Sequence, residues 1–444
     1  MKFREYKGLD LVAAGNEVLD RWKKNHAFEK SLELREGAPE FIFFEGPPSA
    51  NGMPGIHHVM ARSIKDAICR YKTQSGYKVN RRAGWDTHGL PVELGVEKML
   101  GITKEDIGTK ITVEEYNDAC RKEVMKYTAE WVNMTERVGY WVDMNDPYIT
   151  YDNRYIETLW YLLKKIYDKG LLYKGKSIQP YSPAAGTGLS THELNQPGCY
   201  RDVKDTTATA QFAVVRDEKS EFLFSEGVPA YFLAWTTTPW TLPSNTALCV
   251  GPNIDYVRVL SFNPYTGQPA LYVAAEALVG SLFNPKAAAV AFEDYKPGDK
   301  LVPYKVLDGK LKGSDLTGIR YEQLIPWFNP GEGAFKVIPG DYVTTEDGTG
   351  IVHIAPTFGA DDAKVARLAG VPGLQVVDRN GDLQAQVDLR GRFFRVEDLD
   401  PDYAAANMSP EYAEWAGRYV KNAYDAELPA DAPTLYPSDA QAAE

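Results

Sequence analysis

Cysteine is scarce in this chain, with four among 444 residues, at Cys69, Cys120, Cys199 and Cys249, and no C-x-x-C pair. That spacing argues against a zinc ribbon or a disulfide framework and fits a reducing cytoplasm, the compartment expected here. Long apolar runs are missing as well. The densest, "FIFF" and "YFLAW", are far shorter than the roughly 20 residues a membrane helix needs. The opening "MKFREYKGLD" holds no apolar stretch of the kind a signal peptide carries. Basic residues are in deficit, 49 Lys and Arg against 61 Asp and Glu, for a net charge of −12. A surface uniformly adapted to nucleic acid is thereby excluded, but a local basic groove is not. One stretch, "RYKTQSGYKVNRRAGW" (residues 70–85), has five basic residues, two tyrosines and no acid. It reads either as a solvated turn or as a contact for a polyanion.

Composition is otherwise that of an ordinary globular protein, 44% hydrophobic and 25% charged, long enough for about two to four domains. No internal repeat is present. Residues 10–36 alternate helix-like stretches, and "EFIFFEG" reads as a short buried strand. "PPSANGMPG", with three prolines and two glycines, cannot be regular structure. From His58 on, Met60, Ile64, Ala67 or Ile68, and Tyr71 recur at helical spacing. Two more helical stretches follow, near Val113–Arg137 and Arg154–Lys169. After about residue 185, "ATAQFAVV", "YFLAWTTT", "TALCV", "YVRVL", "ALYVAA" and "GIVHIA" are short β-rich runs between turn residues. The pattern predicts a mostly β domain inserted after an α/β start. The closing "AELPADAPTLYPSDAQAAE" is expected to be poorly ordered or to continue into something further.

Two adjacent histidines, His57 and His58, follow Pro54 and Gly55 at the start of the predicted helix. A helix N-terminus presents free N–H groups and the positive end of its dipole, so histidines there add donors for an anion. The loop has neither G-x-x-x-x-G-K-[ST] nor G-x-G-x-x-G. Standing alone, the pair reads as an ordinary helix start facing solvent. Its context is more specific. "GPPSANG", "GIHH" and then "GWDTHGLPVE" resemble the class I aminoacyl-tRNA synthetases, in their isoleucyl-specific branch, over a span from Tyr6 to about Lys421. Valyl and leucyl members share the architecture but carry other text at "GWDTHGLPVE".

The resemblance implies an α/β fold: the first half of a Rossmann-like catalytic domain with an inserted, mostly β editing domain of the CP1 type. The expected divisions are residues 1–40 (helical), 41–185 (catalytic half), 186–400 (editing insertion) and 401–444 (return linker and end). It implies activation of isoleucine by ATP, with Mg2+, and transfer to tRNA(Ile), by a monomer. Pro47 and Asn51 would line the adenylate pocket, Asp86 would bind the substrate ammonium and His88 would sit beside it. An ammonium without a counter-charge in a pocket is costly, which gives that carboxylate a purpose. The family's H-x-G-H signature stabilises the ATP phosphates. Here it is permuted: Gly55 stands where the first histidine usually does, His57 where the glycine does, and only His58 keeps its place. His57 is expected to replace the missing histidine and to reshape the ATP pocket toward adenylate-mimicking inhibitors.

"AWTTTPWTLPSNTAL" gathers Thr236, Thr237, Thr238 and Thr241 near Asn245, and "GTGIVHIAPTFGADDAKVA" supplies His353, Asp361 and Asp362. Threonines suit strands and aspartates suit helix N-termini, but Pro239 and Pro243 interrupt any single strand. By resemblance, these stretches are the halves of an editing pocket. Asp362 rather than Asp361 would anchor the ammonium of a misacylated residue. The threonines, His353 and Asn245 would hold the ester and the attacking water. "PYSPAAGTGLSTHE" looks like a segment that binds zinc in some relatives. Ser182 and Ala185 stand in its cysteine places, so no metal is expected there. No K-M-S-K-S loop occurs. On the resemblance, the chain would be an N-terminal piece that edits Val-tRNA(Ile) but does not aminoacylate alone. A freestanding deacylase and a non-catalytic nucleotide- or tRNA-binding module are the competing readings.

Overall fold

The computed structural model describes residues 8–175, 177–182, 185–200 and 206–421. The expectation for the tail beyond 421 lies outside them. The chain divides into two compact units, Met1–Gly175 and Lys176–Glu444.

The first unit opens with α1 (Leu11–Lys24), N-capped by the Asp10 carboxylate, and α2 (Ala27–Glu33). Strand β1 (Phe43–Phe44) leads through the proline-rich loop into α3 (Ile56–Gln74). Then come β2 (Arg81–Trp85), α4 (Leu90–Leu100), α5 (Val113–Val124), α6 (Thr128–Arg137), β3 (Asp143–Ile149) and α7 (Asn153–Asp168). The three strands form a parallel sheet in the order β1-β2-β3. Parallel strands need crossover connections, and helices supply both. At Gly84 the sheet has no space for a side chain: a Cβ there would lie 2.3 Å from the Tyr148 ring. Ala50, Trp85 and Trp131 make one small core, and Ala83, Tyr140 and Val142 another.

The basic stretch of residues 70–85 is consumed internally. Arg70 and Arg81 both pair with Asp66, Arg82 with Asp146 and Lys78 with Glu36. Lys72 lies over the Phe41 and Tyr77 rings. The stretch does contain an exposed turn at Ser75 and Gly76, between α3 and β2, while Arg81 beyond it is buried. The apolar side of α3 faces outward, with Met60, Ile64 and Tyr71 exposed, while Arg62, Cys69 and Thr73 are buried.

The second unit begins with a hairpin of β4 (Tyr181–Ser182) and β5 (Thr187–Gly188). The Ser182 hydroxyl accepts from the Ala185 N–H at 3.2 Å within it. Its main body is a mixed sheet of nine strands: β6 (Ala208–Ala213), β7 (Ala230–Thr236), β8 (Ala247–Val250), β9 (Asp255–Phe262), β10 (Pro269–Ala275), β11 (Lys305–Val306), β12 (Leu311–Lys312), β13 (Lys336–Pro339) and β14 (Ile351–Ile354). The backbone order is β11-β9-β10-β7-β14-β8-β13, with β6 on β7 and β12 on β9. All four residues of β8 are buried, as expected of a strand covered on both faces. The core holds Phe212, Phe232, Tyr256, Leu271 and Phe328. Tyr412 and Val420 join the same core, so residues 401–420, expected to form a return linker, pack as part of the folded unit.

Candidate functional sites

The proline-rich loop is pinned at both ends and in the middle. Asp86 N–H donates to the Pro48 carbonyl (3.0 Å), Tyr127 N–H to the Ala50 carbonyl (2.9 Å) and Trp131 Nε1–H to the Gly52 carbonyl (2.9 Å). Gly55 caps α3, and its N–H donates to His58 Nδ1 at 2.9 Å. That bond makes Nδ1 the acceptor and leaves Nε2 to carry the proton and donate outward. The half-buried His58 ring lies 4.5 Å from Trp131 and 3.8 Å from the exposed His57 ring. Partial burial, then His57 and the Arg62 and Lys65 charges, push its pKa down and favour the neutral form. His57 folds back over Gly55: a Cβ at residue 55 would lie 2.8 Å from its Cε1. The His57 imidazole therefore occupies the space that a side chain at 55 would use.

Because β2 and β3 are adjacent and parallel (Trp85 pairs with Ile149), the residues just beyond both strands meet. That carboxyl edge is where ligands bind in open parallel sheets. Thr150 is its hub. Its hydroxyl contacts the Thr87 N–H (2.9 Å), the Thr87 hydroxyl (2.8 Å) and His88 Nδ1 (3.0 Å). His88 N–H donates to Asp86 Oδ1 at 3.3 Å. Asp86, Pro47 and Asn51 are each half-buried. No chemical signature marks Thr150 in the sequence.

The second site is a cavity of about 390 Å³ where β7 and β14 end side by side. Thr236, Thr237, Thr238, Thr241, His353 and Asp362 all line it. A 3-10 turn, Pro239–Ser244, follows β7 and brings Thr241 back beneath Thr238. The two prolines thus convert a strand run into a bend that stacks hydroxyls. His353 Nε2 lies 2.9 Å from Thr241 Oγ1, which donates to the Thr238 carbonyl at 2.8 Å. His353 is buried, and desolvation pushes its pKa down to about 4, so the imidazole is neutral at neutral pH. Asn245 is buried behind this wall and does not line the cavity. Asp362, in the first turn of helix Ala360–Leu368, reaches back over Gly359 and accepts from Ala355 N–H at 2.9 Å. A Cβ at Gly359 would collide with it at 2.7 Å. Burial, opposed by that bond and reinforced by Asp361, raises the Asp362 pKa. Asp361 is exposed and outside the cavity lining. Tyr342 and Asp347 also line the cavity; the only signal for them in the sequence is the polar run "TTED" of residues 344–347.

Residues 17–323, more than half of the chain, match the family model of tRNA synthetases class I (I, L, M and V). The chain belongs to the class I tRNA synthetases. Among curated relatives of this class I chain, the isoleucine–tRNA ligase of Bacteroides fragilis is 67% identical over 428 residues, covering 96% of this chain and 37% of the relative. That of Porphyromonas gingivalis is 65% identical over 427 residues, again 96% and 37%. The chain thus spans little more than a third of the length of the curated relatives it matches. Among solved structures, the editing domain of the P. knowlesi cytosolic leucyl-tRNA synthetase covers 40% of this class I chain and 73% of its own, at 15% identity and a TM-score of 0.28. Among the described residues no group of three His, Cys, Asp or Glu is gathered as a metal ion would require. No described helix is long and apolar enough to cross a membrane.

Proposed function

We propose that the two sites are the ATP-phosphate and amino-acid part of an isoleucine–tRNA ligase and its hydrolytic editing pocket for Val-tRNA(Ile). The observation that carries the reading is the convergence of Thr238, Thr241, His353 and Asp362 on one cavity, in a chain 67% identical to a relative named for that ligase activity. Isoleucyl enzymes are the standard case for why a second pocket is needed: one methylene is worth only about 1–3 kcal/mol of discrimination.

At the first site, the His58 Nε2–H and the free N–H groups opening α3 form a donor set suited to a triphosphate. ATP, with the Mg2+ its phosphates carry, would lie over Pro47 and Asn51. The exposed His57 ring, tilted against His58, adds a second donor from where residue 55 would otherwise supply it. Asp86, held by the Pro48 carbonyl, would receive the ammonium of isoleucine. The chemistry is positioning and charge stabilisation as the carboxylate attacks the α-phosphorus.

At the second site, Asp362 is a carboxylate that burial disfavours, so an entering ammonium relieves an existing cost. With the ammonium fixed, the ester carbonyl would lie along Thr236–Thr238, where hydroxyls orient the attacking water. Neutral His353 serves as a donor to Thr241, not as a charged acid.

The test is deacylation of Val-tRNA(Ile) and Ile-tRNA(Ile) by this chain. Hydrolysis of the first and sparing of the second is the expected result; no hydrolysis of either overturns the editing assignment. In the full-length protein, isoleucine-dependent exchange of pyrophosphate into ATP tests the first site.

A further inference from the structure

Behind the cavity wall, a buried tyrosine is joined by hydrogen bonds to the residues that line the pocket. Tyr321 is fully enclosed, packed edge-on against Phe212 (5.3 Å) and Phe335 (6.0 Å). Its hydroxyl donates to Asn245 Oδ1 at 2.6 Å. This fixes the amide, because its other end, Nδ2, donates to the Ala247 carbonyl at 2.8 Å. A flipped amide would set its oxygen against that carbonyl, losing the Ala247 bond, and would turn the phenol from donor to acceptor, leaving its own enclosed proton without Asn245 Oδ1 to receive it. The same Nδ2 faces His353 Nδ1 at 3.4 Å. A ring nitrogen facing an NH2 group is an acceptor, so the imidazole proton resides on Nε2. Nε2–H donates to Thr241 Oγ1, and the Thr241 hydroxyl proton goes to the Thr238 carbonyl. The donors thus run in one direction from Tyr321 to the Thr238 carbonyl, with Asn245 Nδ2 also 3.5 Å from the Ile354 carbonyl.

We propose that Tyr321 is a positioning residue for the editing pocket, acting through Asn245 to hold His353 in its Nε2–H tautomer and so to orient Thr241 beneath Thr238. This rests on the editing reading of the cavity. It gives Asn245 a supporting place in the relay, in line with its position behind the cavity wall. The neutrality of His353 at working pH follows from its burial, and only a neutral ring has a tautomer to choose.

The test separates the relay from the reading it rests on. Long-range nitrogen–proton NMR correlations of the histidine-labelled chain report the His353 tautomer without substrate. The Nε2–H pattern is expected; a dominant Nδ1–H pattern overturns the proposal whatever the activity. Y321F keeps the ring packing and removes only the hydroxyl. It is expected to introduce Nδ1–H signal and to lower kcat for Val-tRNA(Ile) deacylation about tenfold, with KM little changed, the scale of one buried hydrogen bond. Unchanged tautomer and rate in Y321F overturn it. N245D, of nearly the same shape, places an acceptor against Nδ1 and is expected to convert His353 to Nδ1–H outright, with a larger loss of rate. Absence of deacylation in the unmodified chain would sink the editing reading and leave the tautomer result to decide the relay.

Discussion

The two sites rest on frames of opposite character. The threonine–histidine cavity lies on a nine-stranded sheet with a continuous core, where Phe212, Phe232 and Tyr256 are fully buried. The histidine loop lies on three strands, beside helices that keep much of their apolar surface in solvent. On α7, which buries no residue, Trp160, Tyr161 and Leu162 are exposed. The sites differ in the same sense: His353 is buried and His57 exposed. An enclosed site can keep a carboxylate under desolvation and a histidine neutral, because little water competes. An open helix terminus relies on backbone donors and admits a larger anion. On the proposed reading, ester hydrolysis uses the first kind of environment and triphosphate binding the second.

If the sites are chemically independent, their damage should be separable. In the full-length protein, D362A is expected to reduce Val-tRNA(Ile) deacylation about 100-fold or more, as loss of a desolvated charge partner does, while ATP–pyrophosphate exchange stays intact. H58A should do the converse, with exchange down about 100-fold, the cost of one donor to developing charge. Loss of both activities in either variant would break the comparison.

The frames themselves can be probed at two glycines. G84A forces a Cβ into the Tyr148 ring and is expected to destabilise the first unit by about 1–3 kcal/mol. G313A would meet the Gly251 carbonyl oxygen at 2.1 Å and should destabilise the second unit by a similar amount. Hydrogen exchange should localise the first loss to residues 81–85 and the second to β8 and its neighbours. Exchange that accelerates everywhere in both variants would show one cooperative unit, not two.

The smallest effect concerns Asp362. Its folded pKa is raised, so the folded state holds the proton more tightly than the unfolded chain. Its contribution to stability is therefore fully present below the ordinary carboxylate range and is lost as pH rises through the raised value. D362N, which cannot ionise, should raise the melting temperature at neutral pH by a degree or so, with the gain vanishing in acid. His353 works in the other direction. Its stabilising neutrality is complete above its ordinary pKa and is lost as pH falls toward about 4.

Much of this was legible in the sequence where local signals agree. The strand, loop and helix around residues 41–74 and the β-rich runs appear nearly as spaced, since alternation and turn residues report local backbone preference. The run Val113–Arg137 reads as one helix but splits at Met125–Tyr127, because Tyr127 N–H is drawn to the Ala50 carbonyl. That diversion is tertiary and leaves no periodic trace. The strand expected over "EFIFFEG" shrinks to two residues and is not the buried strand expected, since Ile42 and Phe44 are exposed; Pro47 and Pro48 offer no donors to extend it. At the second site, the resemblance named Thr238, His353 and Asp362, which line the cavity, and Asn245, which lies behind it. Thr150, bonded to His88, and Tyr321, bonded to Asn245, came only from the folded contacts.

Gly55 and His57 share one volume, and this makes them a single heritable trait. A histidine at both positions would make the His57 ring turn aside, and on the proposed reading a glycine at both would leave the loop a donor short. On the proposed reading, passing from one order of the signature to the other by single replacements should therefore cost ATP affinity at the intermediate, in either direction. The two residues should change together or not at all, and in a two-by-two set of variants their effects on ATP affinity should be strongly non-additive.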